Sequence, residues 1–66
     1  MKYLIDKAFE TLKGLENVKA MRFYPSINCI QLQGYTNDVL IFDFDNEVKV
    51  FRYSIVRQQF ELIECR

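Results

Sequence analysis

The 66-residue chain has no histidine, one proline, two glycines and two cysteines, and its nine basic residues cancel its nine acidic ones. Each shortage removes a class of function. Without imidazole there is no histidine general base, no Ser-His nucleophile and no histidine-ligated zinc. Cys29 and Cys65 cannot complete a four-ligand zinc site alone. Gly14 and Gly34 stand too far apart to form a phosphate-cradling loop. Zero net charge removes the positive field that drives general binding to nucleic-acid phosphates, so contact with RNA needs a local patch. The longest apolar run, Val39-Leu40-Ile41-Phe42, is far short of the ~20 residues of a membrane span. These exclusions predict a protein that is not an enzyme, needs no cofactor or metal, implies no small-molecule substrate and enters no membrane. With no signal-like apolar run at the start, the two cysteines read as reduced, packed thiols of a cytoplasmic protein.

Half of the residues are hydrophobic, six of them Phe and four Tyr. A chain this short forms a single domain over 1–66 and buries only about 60% of the surface it exposes when unfolded. Large side chains compensate, at about 1.5–3 kcal/mol for each one fully buried.

Between residues 2 and 13, Ile5, Ala8, Phe9 and Leu12 recur at helical spacing with charges elsewhere, which predicts an amphipathic N-terminal helix. Gly14 reads as its left-handed terminator, and Leu15 can fold back onto the last turns. From Val18 the apolar period falls to two and β-branched and aromatic residues dominate. Val18 to Tyr24 reads as a first strand, ended by Pro25-Ser26, and Ile27 to Gln33 as a second. Gly34 to Asp38 reads as a loop. Val39 to Phe44 and Glu47 to Tyr53 form a hairpin around Asp45-Asn46, a dipeptide that tolerates positive φ. In that register Leu40 faces Phe51, Ile41 faces Val50 and Phe42 faces Lys49. Leu40, Phe42, Phe44, Phe51 and Tyr53 then line one face, and Val39, Ile41, Val48 and Val50 the other, so the hairpin demands cover on both sides. Ile55, Val56, Gln59, Phe60, Leu62 and Ile63 fit a C-terminal helix capped by Ser54. A strand from Gln59 to Cys65 competes, but no turn residue separates Tyr53 from Phe60 to begin another hairpin. The predicted fold is α+β: an N-terminal helix, a four-stranded antiparallel β-meander and a C-terminal helix.

Two surface clusters carry chemistry. Tyr35, Phe51, Arg52, Tyr53 and Arg57 combine aromatic and guanidinium groups that stack single-stranded bases at about 1–3 kcal/mol each, unless Phe51 and Tyr53 belong to the core. Asp38, Asp43, Asp45 and Glu47 place four carboxylates in ten residues without a cation, suited to a basic partner surface or simply to keeping a sheet edge soluble. Asp43 to Glu47 opens like a calcium loop, yet Val48 and Ser54 stand where such a loop needs glycine and glutamate.

Read from Ser26, the pattern Ser26-x-x-x-Ile30, Tyr35, Leu40-x-Phe42-x-Phe44, Phe51-x-Tyr53, Val56, Phe60 and Ile63 resembles the KTSC domain found at the end of some lysyl-tRNA synthetases. The resemblance covers 26–63 and implies a β-meander closed by a short helix, an aromatic pair at Phe51 and Tyr53, and RNA binding. Phe51 stands where the family tends to tyrosine, and no proline follows Val56. The expected function is a small non-catalytic interaction module, acting through a sheet face or edge on a protein partner or on itself as a homodimer. The alternative is a small RNA-binding domain of the KTSC kind.

Overall fold

In a computed structural model, which describes residues 2–26 and 33–66, one helix packs against one face of an antiparallel sheet. The strand expected over 27–33 and the thiol of Cys29 lie outside the described residues, apart from Gln33, which sits in a turn.

Helix α1 spans Lys2–Lys13, the bounds its periodicity predicts. Ala8 and Leu12 of the expected stripe face the core, but Leu4 joins them in place of Ile5 and Phe9. Leu4 and Ala8 are buried and Leu12 and Leu15 pack partly against the core, whereas Ile5 and Phe9 stand half exposed. The helix ends by tightening. Gly14 N–H donates to the Thr11 carbonyl and Leu15 N–H to the Leu12 carbonyl, both at 3.1 Å. The left-handed residue is Asn17, at φ 65°, rather than Gly14.

Four strands follow: β1 (Ala20–Tyr24), β2 (Tyr35–Asp43), β3 (Val48–Ser54) and β4 (Gln59–Cys65), in the sheet order β1-β2-β3-β4. This is the α+β meander, with two corrections. The segment expected as a loop over 34–38 is mostly strand, because β2 begins at Tyr35. The C-terminal helix is absent, and Gln59–Cys65 forms the fourth strand. The capping signal at Ser54 is locally genuine: its Oγ accepts the Arg57 N–H at 3.1 Å. The turn it closes stops at once, because Gln58 adopts φ 55° and reverses the chain. Strand pairing then buries Phe60 against Tyr53.

Between β2 and β3 the register is the predicted one, with Leu40 opposite Phe51, Ile41 opposite Val50 and Phe42 opposite Lys49. Phe44 N–H donates to the Glu47 carbonyl at 2.9 Å, closing the hairpin around Asp45-Asn46. Neither turn residue takes a positive φ.

Leu40 and Phe42 are completely buried and centre a core with Leu4, Ala8, Phe51, Tyr53 and Phe60. Phe42 and Phe51 meet edge to face at 5.4 Å, and Tyr53 and Phe60 at 5.3 Å. Such pairs add about 0.5–1.5 kcal/mol to simple burial. Phe23 of β1 also meets Phe60 of β4, at 5.9 Å. Strands three positions apart in a flat sheet stand about 14 Å apart, and these two rings, reaching inward from the edge strands, span that distance across the core face.

Candidate functional site

Directly paired residues of antiparallel strands share a face. The pairing therefore sorts the side chains into a core face and an outer face, opposite α1. Three rows cross the outer face. Ala20, Asp43 and Val48 form the first; Arg22, Ile41, Val50 and Glu64 the second; Tyr24, Val39, Arg52 and Glu61 the third. The centre is apolar and the corners are charged. Val50 is buried among its neighbours, Val39, Ile41 and Val48 are half buried, and Tyr24 is 52% exposed. Ile63, the extra residue where the β3–β4 register shifts, is 46% exposed. Among the described residues, no second helix covers this face.

The charges at the corners are paired. Arg22 donates to both carboxylate oxygens of Asp43 at 2.9 and 3.0 Å, which raises the arginine above its ordinary pKa. Arg57 donates to both oxygens of Glu61 at 3.0 and 2.9 Å, and the Tyr35 hydroxyl donates to the same carboxylate at 2.8 Å. These donors, Tyr35 first, hold Glu61 below the usual glutamate range. The same hydrogen bond pushes the Tyr35 phenol up, since ionisation would lose it and set two anions together. Glu64 is held low by its hydrogen bond from Arg66.

The sequence-predicted aromatic and arginine cluster divides between two faces. Phe51 and Tyr53 are core residues, 8% and 4% exposed. Tyr35 and Arg57 meet on Glu61, and Arg52, on the outer face beside it, reaches Asn37 at 3.4 Å. The acidic strip is not free of cations either. Asp38 is buried and structural, accepting the Ser26 N–H and the Thr36 hydroxyl, each at 2.7 Å. Asp43 holds Arg22, Asp45 lies 3.4 Å from Lys19, and Glu47 lies 3.9 Å from Lys49. Neighbouring strands supply the positive charges that the linear stretch lacks.

Glu61, Ile63 and Glu64 escape the sequence reading because it assigns them to a helix; the alternation from Phe60 to Leu62 is their only signal. Among the described residues, Cys65 is an exposed free thiol and not the packed one expected, no cluster of three metal-ligating side chains forms, and no helix is long and apolar enough to cross a membrane. The chain matches no protein-family model, no curated protein and no solved structure.

Proposed function

We propose that this protein is a non-catalytic interaction module of the cytoplasm that binds another protein chain through the outer face of its sheet. The observation that carries this reading is the apolar, largely half-buried centre of Val39, Ile41, Val48 and Val50, over which no helix among the described residues lies, flanked by exposed Tyr24 and Ile63. A sheet that serves only to pack one helix needs an apolar core face and gains nothing from apolar residues on the other. Apolar centres rimmed by charge are the usual composition of a protein contact. The free thiol of Cys65 fits a reducing compartment. RNA binding of the KTSC kind would rest on Tyr35, Arg52 and Arg57 without the stacking platform of Phe51 and Tyr53.

A photo-crosslinking amino acid at Ile63 tests the reading in cells, with Glu10 on the exposed side of α1 as the comparison. Protein adducts are expected from position 63 and not from position 10. Equal yields from the two positions, or none from 63, would overturn it.

A further inference from the structure

We propose that the chain seated on this face is a second copy of the protein, stacked face to face about a two-fold axis parallel to the strands. The inference rests on reading the outer face as a contact surface. Its basis is the order of residues across the second row, which runs from β1 to β4 as Arg22, Ile41, Val50, Glu64: cation, apolar, apolar, anion. A two-fold axis along the strands lays β1 over β4 of the second copy and β2 over its β3. The row then meets its own reverse. Arg22 lies over Glu64, Ile41 over Val50, and both pairs occur twice.

The neighbouring rows obey the same rule. In the third, Tyr24 comes over Glu61, whose carboxylate can accept a phenol hydrogen bond, and the aliphatic stem of Arg52 comes over Val39. In the first, Asp43 comes over Val48 and Ala20 over Arg66, which bonds to the Val48 backbone. No row sets like charges opposite each other. Joining two copies through β1 edges centred on that strand does worse, since it opposes Arg22 to Arg22, a destabilising arrangement.

Four strands about 4.8 Å apart, and three rows about 7 Å apart, give about 400 Å² on each copy, the size of a weak and transient contact. A weak dimer is therefore expected, with a dissociation constant on the order of a hundred micromolar. Sedimentation equilibrium from about 5 to about 500 μM spans that range.

The decisive variants are R22E and E64R. Each alone sets like charges across both symmetric contacts and should weaken association about tenfold or more. An equimolar mixture of the two should recover to within about threefold of the parent protein, because the introduced charges then face their opposites. Loss of the internal Arg22–Asp43 pair cannot be repaired by mixing. Ile63→Asp, at an exposed position, is a further variant expected to weaken the dimer. A parent protein that stays monomeric at the highest concentration overturns the inference, as does a mixture no tighter than its components. If the parent is monomeric while the probe at 63 captures a different protein, the second copy is wrong and the contact face stands. A dimer indifferent to all of these changes uses another surface and overturns the inference, while the contact face itself is decided by the probe at 63.

Discussion

Phe51→Ala is the sharpest test of how the two faces are assigned, because Phe51 and its neighbour Arg52 point in opposite directions from the same strand. Phe51 is buried opposite Leu40 and packs edge to face on Phe42 at 5.4 Å. Truncating a buried phenylalanine costs about 3–5 kcal/mol, of which about 0.5–1.5 is the lost aromatic pair. At about 0.05–0.15 kcal/mol per residue, a domain of 66 residues has about 3–10 kcal/mol in total. The variant therefore loses a third or more of its stability, and at the low end of that range it does not fold. Phe51→Leu, which keeps the site apolar, should cost about 1.5 kcal/mol. With a urea slope of about 1 kcal/mol/M, that lowers the unfolding midpoint by about 1.5 M, and Phe51→Ala by about 3 M or more. Arg52→Ala loses one long hydrogen bond to Asn37 and should move the midpoint by about 0.5 M. Urea titrations followed by circular dichroism at equal protein concentration compare the three. A Phe51→Ala shift no larger than that of Arg52→Ala would refute the placement of Phe51 in the core.

Gln58 turns the chain from β3 into β4 at φ 55°, a conformation that costs a side-chain-bearing residue about 1 kcal/mol. Gln58→Gly should therefore raise the melting temperature by about 4 °C and Gln58→Val lower it, whereas equal losses for both would show that no left-handed residue is needed. The Tyr35–Glu61 bond predicts two pH limbs of opposite sign. The folded pKa of Glu61 is depressed, so its contribution is complete above about 4.3 and disappears as the pH falls through the folded value. That of Tyr35 is raised, so its contribution is complete below about 10 and disappears as the pH rises. Tyr35→Phe should flatten both limbs of a plot of urea midpoint against pH, and Glu61→Gln should flatten the acid limb and bring the tyrosine titration back toward its ordinary range. Unchanged limbs in Tyr35→Phe would rule out the hydrogen bond.

Local periodicity made α1 and the β2–β3 hairpin legible from the residues alone. Twelve residues without glycine or proline repeat at helical spacing, and Asp45-Asn46 sits between two apolar runs of strand character. The buried side of the helix was less legible, because Leu4 and Ile5 are both apolar and only the sheet decides which of them faces it. What the last segment hid was a turn built from Ile55, Val56, Arg57 and Gln58, none of them a turn former. Its chemistry resides in the Ser54 cap and the strained Gln58, and a cap reads the same whether one turn follows or three. Tyr35 to Asp38 failed in the opposite sense. Thr36, Asn37 and Asp38 are turn-type residues drawn into a strand, where the Asp38 carboxylate ties the strand to Ser26 beyond β1. For the site, residue type identified Tyr35, Arg52 and Arg57, but which aromatics lie inward depends on strand parity, and that parity made Phe51 and Tyr53 core.

The strand that α1 meets most closely is β4, so the first element of the fold rests on the last. Removing the last strand therefore takes away the closest neighbour of the first element, together with the contacts of Phe60 with Tyr53 and Phe23. A chain shortened before Gln59 would keep Leu40, Phe42 and Phe51 beneath α1 but lose part of the packing that holds it, so the two ends of the described fold stabilise one another.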